Sequence, residues 1–426
     1  MSDSVSVALK NNTGSVEGRC SAQFQPVLDA FLTNFSEHDE VGASVCVTYQ
    51  GETVVDLWGG TTSNGSNTRW TQDTVSLVFS ATKGVVALVA NVLIDRGLLD
   101  PCQPVAEIWP EFSANGKEAA TVRMMLDHSV GVPALRTPVK PGGLYDWDYM
   151  CELIATHEPF WEPGTRVGYH ALTFGWNVGE LIRRVTGKSV GTNIQEILAE
   201  PLGLGVWVGL PESVEPNVAP MIPSPMNEAF GAIFEQSAIA EQSISALALH
   251  NDGGWLNGLN VDAKTGKLPA DSREGHAAEI PAAGGITNAA GLAGAYRPFA
   301  IGGTFGGKHF VSPRTLIGME EISSATNRDA TNMRRVAWSL GLLKGRDNRV
   351  RSTDPPAGLM IGRRAFGHTG AGGSCGFADP EPGLSFGYTM NRMDETGDFN
   401  VRGQSLVNAT YRVLGYADCA SGHWTK

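Results

Sequence analysis

The sequence predicts an α+β fold in which an antiparallel sheet is flanked by terminal helices and carries an inserted, mostly helical domain. Three observations lead to this prediction. A helical pattern followed by β-rich runs opens the chain, β-rich runs followed by a helical pattern close it, and helical patterns fill the middle. The expected division is an α/β domain made of residues 1–83 and 331–426, with the helical domain at 84–330.

The individual elements follow from the spacing of apolar residues. Residues 20–37 place apolar side chains at helical intervals, and the stretch GASVCVTYQGETVVDLWGG after them predicts a hairpin that turns at Gln50-Gly51. Strands return from about residue 334, and residues 403–416 predict the last helix. The helical patterns of the middle region lie at 84–97, 121–127, 171–186, 192–200 and 288–300.

Charge and hydropathy argue against several classes of protein. The 426 residues include 32 Lys and Arg against 44 Asp and Glu, a net charge of −12 without any basic run, so nucleic acid is not expected as a partner. The longest aliphatic stretch, GVVALVANVLI at 84–94, is too short to span a membrane. The first residues lack the apolar core of a secretory signal, so we expect a cytoplasmic protein.

The cysteines and short motifs indicate neither a metal nor a cofactor. Cysteines at 20, 46, 102, 151, 375 and 419 have no close pairs, so their spacing offers neither a zinc site nor a redox pair. No H-E-x-x-H sequence and no phosphate-binding loop occurs. Reduced thiols, no metal and no cofactor are therefore expected, and the sequence leaves the oligomeric state open.

One candidate nucleophile is Ser374 in AGGSCGFADPEPG, because G-x-S-x-G is the pattern of serine hydrolases with a nucleophile elbow. An elbow requires a helix after the serine, whereas Pro380 and Pro382 predict a turn. A catalytic histidine would also have to follow Ser374, where His423 is the only one. We therefore expect Ser374 to lie on or beside a strand that enters a hairpin, without a nucleophilic role.

The other candidate is Ser80 in SLVFSATKGVVALVANVLIDRGLL, where Ser80 and Lys83 form S-x-x-K at the start of an apolar helix. Residues three apart share a helix face, so the lysine amine would reach the serine hydroxyl. A serine needs an adjacent base, and burial among Val, Leu and Ala would lower the pKa of the lysine toward that role. Alone the pattern is weak, because a helix-capping serine beside a solvated lysine would look the same.

Further segments point to one family. WEPGTRVGYHALTFGWNVGELIRRVTG carries Tyr169 between a turn and a helix, and FGHTGAGG carries His368, Thr369 and Gly370 on a strand. MLDHSVGVP at 125–133 precedes the first of these segments, and GGITNAAGLAGAY at 284–296 lies between the two. With SATKG, these segments resemble the serine β-lactamase and penicillin-binding protein superfamily from about residue 25 to 416. The chain is most similar to the class C β-lactamase-like carboxylesterases of family VIII, which implies a β-lactamase/transpeptidase-like fold.

The resemblance assigns catalytic roles. Ser80 matches the nucleophile, Lys83 its partner, and Tyr169 the tyrosine of the Y-x-N element. In the family that tyrosine takes the serine proton, as phenolate or as a relay with the lysine. Which of Lys83 and Tyr169 is the immediate base stays open.

The resemblance also assigns the substrate-binding strand. His368, Thr369 and Gly370 match the K-T-G element, which lies along the substrate. The backbone N–H groups of Ser80 and Ala371 would form the oxyanion hole, where one such donor contributes about 2.7–4 kcal/mol in the transition state. The small residues of GAGG would let the backbone and the substrate approach closely.

Two positions depart from the β-lactamase pattern. Ala171 stands where Y-x-N has Asn, and His368 stands where K-T-G has Lys. Both missing groups help to hold a β-lactam, the lysine cation by facing its carboxylate. Their loss favours small neutral esters, so we expect a serine carboxylesterase that works through an acyl-enzyme, with β-lactam hydrolysis secondary.

Other functions remain open at this stage. Within enzymes these are an acyltransferase that passes the acyl group to an alcohol, a D-amino acid peptidase, or a true β-lactamase. A non-catalytic homologue that binds or forms filaments is the alternative of another class. Trp161, Trp176 and Trp255 would either line an acyl pocket or pack in the core.

Overall fold

The structure is a computed structural model and describes residues 2–9, 14–63, 68–223, 243–249, 268–345, 358–394, 399–418 and 422–426. Within these ranges, the body of the molecule is a ten-stranded sheet whose neighbouring strands are all antiparallel. Its strands are β1 (Ser2–Ala8), β2 (Ser15–Ser21), β3 (Gly42–Tyr49), β4 (Glu52–Gly60), β10 (Ser324–Thr326), β11 (Val336–Trp338), β12 (Leu343–Lys344), β13 (Phe366–Thr369), β14 (Cys375–Asp379) and β15 (Leu384–Met390).

Short strands form smaller sheets beside it. β5 (Ser76–Leu77), β7 (Gly285–Thr287) and β6 (Val206–Val208) make a three-stranded sheet in that order. The remaining strands form two pairs, β8 (Thr304–Phe305) with β9 (Lys308–His309), and β16 (Ala417–Asp418) with β17 (Trp424–Thr425).

The large sheet joins the two ends of the chain. Its spatial order is β1-β2-β4-β3-β15-β14-β13-β12-β11-β10. β3 pairs with β15, from Tyr49 opposite Leu384 to Ala43 opposite Met390. The predicted antiparallel sheet is therefore confirmed, and so is the predicted hairpin, because β3 and β4 turn at Gln50-Gly51.

Helices cover both faces of this sheet. In β14 the ring of Phe377 stacks on Tyr411 of the C-terminal helix, with centroids 6.3 Å apart. The preceding residue, Gly376, faces the other way, where a Cβ atom would lie 2.7 Å from the ring of Tyr296. Because successive residues of a strand point to opposite faces, the terminal helices cover one face and the helix Ala289–Ala300 covers the other.

The α-helices are Gln25–Glu37, Ala81–Asp95, Val122–Leu126, Trp147–Thr156, Thr173–Thr186, Val190–Ile194, Glu200–Leu202, Ile244–Leu249, Arg273–Ala277, Ala289–Ala300, Pro313–Glu320 and Val401–Val413. A π-helical turn, Gln195–Ala199, joins two of them. In the described ranges, none of these helices has the length and apolar character needed to cross a membrane. The five helical patterns of the middle region are confirmed, with ends that differ by a few residues.

The helix Ala81–Asp95 lies in the interior. Every residue from Ala81 to Leu93 is buried, which suits a sequence that is apolar on all sides. It begins directly after Ser80, as the S-x-x-K pattern predicts, and three residues before the apolar pattern at 84–97. The division into 1–83, 84–330 and 331–426 stays a prediction; β10 and the helix Ala289–Ala300, both within 84–330, belong to or contact the sheet.

The N-terminus differs from the prediction. The spacing predicts one helix over 20–37, whereas Cys20 and Ser21 end β2 and the α-helix begins at Gln25. Pro26 accounts for this start, because proline is favoured in the first turn, where its missing N–H is not needed. β1 is mostly exposed, so its sequence carries no buried face that an alternating pattern could reveal.

Candidate active site

Ser80 stands at a sharp turn between β5 and the buried helix. The preceding residue, Phe79, has a φ of +45°, a conformation that bulky side chains rarely adopt. Thr82 holds this turn, since its Oγ1 donates to the Phe79 carbonyl oxygen at 2.5 Å and accepts from the Gly285 N–H at 2.8 Å. Such strain persists only where the surroundings enforce it, and it often marks functional sites.

Lys83 lies one helical turn further and is fully buried. Its Nζ lies 3.1 Å from Ser80 Oγ, and it donates to the carbonyl oxygens of Ala171 and Ala282 at 2.7 Å each. Burial lowers the pKa of this lysine well below its ordinary value, because a charged ammonium loses its hydration. The amine is therefore shifted toward the neutral form, which can accept a proton.

Tyr169 approaches the same serine from another part of the chain. Its hydroxyl donates to Ser80 Oγ at 2.8 Å, and Lys83 Nζ lies 4.9 Å from the centre of its ring. The structure therefore brings Ser80, Lys83 and Tyr169 into direct contact, although 89 residues separate the serine from the tyrosine. The lysine amine and the tyrosine hydroxyl thus both contact one serine oxygen.

Two residues that sequence reasoning missed hold Tyr169 in place. Asp329 is fully buried, and its Oδ1 accepts from the Tyr169 N–H at 3.1 Å. The same oxygen accepts from the N–H groups of Thr331 and Asn332 at 2.8 Å each. The ring of Trp338 in β11 stacks on the tyrosine ring, with an interplanar angle of 3° and centroids 5.7 Å apart. No short motif surrounds either residue, so their roles appear only when the fold brings them together.

Two fully buried histidines, His128 and His170, lie next to Tyr169. His128 Nδ1 accepts from the His170 N–H at 3.1 Å, and His170 Nε2 accepts from the Val132 N–H at 3.1 Å. Burial holds the pKa of His128 well below its usual range and lowers that of His170 to about 3. Both rings are therefore neutral and add no positive charge beside Lys83.

The predicted substrate strand is β13 with the residue after it. His368 is buried, and its Nδ1 donates to the Thr369 carbonyl oxygen at 2.7 Å. That bond fixes the proton on Nδ1, because a carbonyl oxygen can only accept. The ring lies 6.2 Å from that of Tyr169 and 5.6 Å from that of Trp338. The residue at the place of the K-T-G lysine therefore lies beside the tyrosine.

Gly370 directly follows β13, at the point where the chain meets the segment leading to Ser80. A Cβ atom on Gly370 would lie 2.1 Å from the Val78 carbonyl oxygen, so only glycine allows this approach. In the described part of the chain, the N–H groups of Ser80 and Ala371 make no backbone hydrogen bond. Both amides are therefore available to an oxyanion, as the sequence comparison with K-T-G implies.

Ser374 has a structural place in the same junction. It is fully buried directly before β14, and its Oγ donates to the Val78 carbonyl oxygen at 2.7 Å. The hydroxyl is thus engaged with the backbone two residues before Ser80. Its position beside a strand that enters a hairpin is the position expected from the sequence.

The tryptophans considered for an acyl pocket differ in burial. Trp176 is fully buried in the helix Thr173–Thr186, and Trp161 is 9% exposed and donates to the Ser129 carbonyl oxygen at 3.0 Å. Both therefore pack in the core. Trp255 lies outside the described residues. Among the described residues, no group of three or more His, Cys, Asp or Glu side chains could hold a metal ion.

A serine at the start of a buried helix, in contact with a buried lysine and a distant tyrosine, is the arrangement of the β-lactamase and penicillin-binding protein class. Residues 28–410 match the Beta-lactamase family. The chain belongs to this family.

Three relatives illustrate the similarity. The Esterase/beta-lactamase LipL of Mycobacterium tuberculosis is 35% identical over 385 residues, 89% of this chain and 83% of that protein. The crystal structure of a family VIII carboxylesterase is 37% identical with a TM-score of 0.80, covering 94% of this chain and 100% of that one. A penicillin-binding protein homolog from Caulobacter crescentus is 32% identical with a TM-score of 0.79, covering 94% and 100%. The resemblance to family VIII is confirmed.

Proposed function

We propose that this protein is a serine carboxylesterase that hydrolyses short-chain carboxylic esters through an acyl-enzyme. One observation carries the proposal: Ser80 Oγ lies 3.1 Å from the buried Lys83 amine and 2.8 Å from the Tyr169 hydroxyl. A serine becomes a nucleophile when an adjacent base takes its proton. The relatives support ester cleavage, since one is named a family VIII carboxylesterase and another an esterase/beta-lactamase.

Lys83 is the group we assign as proton acceptor. A neutral amine has two N–H groups and one lone pair, and the carbonyl oxygens of Ala171 and Ala282 take up the two N–H groups. The lone pair is then left for the third neighbour, Ser80 Oγ. After it accepts the proton, the ammonium donates to all three oxygens, so the burial of its charge is partly compensated. Tyr169 relays the proton between Ser80, Lys83 and the leaving group.

The reaction then proceeds in two halves. Ser80 Oγ attacks the ester carbonyl carbon, and the N–H groups of Ser80 and Ala371 hold the oxyanion, with an expected contribution of about 2.7–4 kcal/mol from each donor. The bond to the alcohol oxygen breaks, and the alcohol leaves with the serine proton. Water attacks the acyl-enzyme carbonyl carbon and gives one proton to the same base. The bond between the acyl carbon and Ser80 Oγ then breaks, the base returns the proton to Ser80 Oγ, and the acid leaves.

Substrate choice follows from the strand His368, Thr369 and Gly370, which we propose lies along the substrate. His368 carries no permanent cation, and Ala171 has no side-chain amide. Both features favour neutral esters over β-lactams, because a β-lactam carries a carboxylate that a cation in the site would bind. Weak β-lactam hydrolysis is a second activity that we propose, supported by the name of the Mycobacterium tuberculosis relative.

The test compares p-nitrophenyl acetate and butyrate with nitrocefin on the purified protein. We expect a much higher kcat/KM for the esters, and Ser80→Ala should lower kcat by about 10⁴-fold or more, as removal of a nucleophile does. A kcat/KM for nitrocefin equal to or higher than that for the esters would contradict the esterase assignment. Absence of turnover of all these substrates by the wild-type protein would favour the non-catalytic alternative.

A cytoplasmic location is a further proposal. Among the described residues, Cys20, Cys46, Cys102, Cys151 and Cys375 are free thiols, as expected in a reducing compartment. Cell fractionation with an antibody against the native protein tests it, and recovery outside the cytoplasmic fraction would refute it.

A further inference from the structure

A cavity of about 550 Å³ lies at the edge of the large sheet where β10, β11 and β12 run side by side. Among the residues that the structure describes, its ionisable lining residues are Arg335, Lys344, Arg363 and His423, and neither Asp nor Glu belongs to this described lining. The chain as a whole carries a net charge of −12. The cavity wall is therefore a local reversal of the overall charge, and none of Ser80, Lys83 or Tyr169 belongs to it.

Lys344 is the buried cation of this wall. It is only 4% exposed, and its Nζ donates one hydrogen bond, to the Arg364 carbonyl oxygen at 3.0 Å. Within the described ranges, it forms no ion pair with a carboxylate. Burial lowers the pKa of this lysine to about 8, so it is still mostly protonated at neutral pH. A buried ammonium with one hydrogen bond is short of acceptors, because it carries three donors.

Glu320 and Asp379 are the carboxylates whose negative charge acts on the Lys344 ammonium, and both are hydrogen-bonded to other groups. Arg364 binds both oxygens of Glu320, at 2.5 and 3.0 Å. Asp379 accepts from the Tyr411 hydroxyl at 2.6 Å and from a backbone N–H at 3.1 Å. Neither carboxylate therefore neutralises the ammonium directly. An anionic ligand in the cavity would neutralise the Lys344 ammonium directly.

The rest of the wall is largely apolar. Ala325, Val336 and Ala337 line it from the strands, and Ile322, with 60% of its surface exposed, lies at its rim. A cavity of this size suits a small ligand, and apolar walls with a few polar groups are typical of small-molecule sites. The ligand that matches these features has one anionic end and a short hydrocarbon group.

We propose that this cavity binds a small organic carboxylate, with the carboxylate against Lys344 and Arg363 and the hydrocarbon against Val336 and Ile322. The site is separate from Ser80, and the inference does not depend on ester hydrolysis. Short-chain acids are also the class of product that the proposed function would release, so the experiment must distinguish this cavity from the active site.

Isothermal titration of the full-length protein with sodium butyrate tests the proposal. We expect saturable binding of one butyrate that Lys344→Met weakens by about tenfold or more, since a hydrogen-bonded charge is lost. The matched control is Lys308→Met, because Lys308 is an exposed lysine that also donates to a single carbonyl oxygen, that of Pro201 at 3.0 Å. Lys308→Met should leave the Kd unchanged. Arg363→Gln, at an exposed position, should raise the Kd severalfold.

Two probe molecules separate charge from shape. Butyramide has the shape of butyrate without its charge and should not bind, whereas inorganic phosphate has charge without hydrocarbon and should bind more weakly. Butyrate affinity that is the same in Lys344→Met and the wild type would place binding elsewhere, the active site included, and overturn the proposal. Three other results would also overturn the proposal. These are butyramide binding as tightly as butyrate, phosphate binding as tightly as butyrate, and no saturable binding of butyrate.

Discussion

At the scale of single residues, the candidate site contains a buried amine and a strained backbone residue, and both lower the stability of the fold. Lys83 is a fully buried amine, and Phe79 beside the nucleophile has a positive φ. Each costs free energy that the surrounding packing offsets. Ser80 and Lys83 could be predicted from their spacing in the sequence, because three residues equal one helical turn. Asp329 and Trp338 could not, because only the folded chain brings them to Tyr169.

Replacement of Lys83 by methionine tests the cost of the buried amine. The pKa of Lys83 is lowered on folding, so the unfolded chain binds more protons between that pKa and the ordinary value near 10.5. Stability therefore rises with pH across this window. We expect Lys83→Met to abolish esterase activity and to be more stable than wild type by about 1 kcal/mol at pH 7. The gain should shrink as the pH approaches 10, measured by urea unfolding; a less stable variant at pH 7 would contradict it.

Asp329 provides a second test at this scale. Its Oδ1 accepts from the Tyr169 N–H, so an acceptor rather than a charge is required. We expect Asp329→Ala to lower kcat by about tenfold or more with little change in KM, and Asp329→Asn to retain most of the activity. In a Tyr169→Phe background, Asp329→Ala should cost little more, because the two act as a unit. Equal factors in both backgrounds would assign Asp329 a general structural role.

At the scale of elements, the buried helix that carries Ser80 and Lys83 packs closely on the helix Ala289–Ala300. A Cβ atom on Gly84 would lie 1.9 Å from the Tyr296 hydroxyl oxygen, which has no hydrogen-bond partner among the described residues. The apolar spacing predicted both helices. It could not predict their contact, because the contact depends on one missing Cβ atom and not on a periodic pattern.

We therefore expect Gly84→Ala to destabilise the protein by about 1–3 kcal/mol through overpacking. Tyr296→Phe alone should be neutral or stabilising, since it removes an unpartnered buried hydroxyl, and it should restore part of the loss in the double variant. Gly318→Ala is the matched control, because its Cβ atom would meet only Leu340 Cδ1 at 3.7 Å. Thermal unfolding of the four variants measures this, and a Gly84→Ala protein as stable as wild type would be the opposing result.

Ser374 connects two elements, β14 and the segment before Ser80. Its hydroxyl donates to the Val78 carbonyl oxygen, so Ser374→Ala should lower kcat moderately through backbone position. The variant should still react with a fluorophosphonate probe, whereas Ser80→Ala should not. The mass of the labelled tryptic peptide is the measurement. Label on the peptide that holds Ser374, with none on Ser80, would reverse the assignment of the nucleophile.

At the scale of the whole molecule, the two ends of the chain are fastened by a buried ion pair. Arg402 of the C-terminal helix lies 3.1 Å from Glu40, with side chains 2% and 0% exposed. The hydroxyl of Tyr388 in β15 also donates to Glu40. The sequence pattern predicted both terminal helices and the sheet beneath them. This ion pair was not predictable, because it joins residues 362 positions apart.

Arg402→Met should therefore destabilise the protein by about 3–5 kcal/mol, because it leaves Glu40 buried without its partner. Lys188→Met is the control, since Lys188 and Glu196 form an exposed pair that contributes about 1 kcal/mol or less. Guanidinium unfolding measures both. Similar losses for the two variants would mean that the buried pair has no special role.

The pairing of β3 with β15 also has a consequence during synthesis on the ribosome. Thr48 and Ser385, which face each other in this ladder, are 337 residues apart in the chain. One edge of the N-terminal strands therefore stays unpaired until almost the whole polypeptide has emerged, and unpaired edges invite association with other chains. Translation speed and chaperone supply should accordingly limit the yield of this protein more than the stability of its finished fold does.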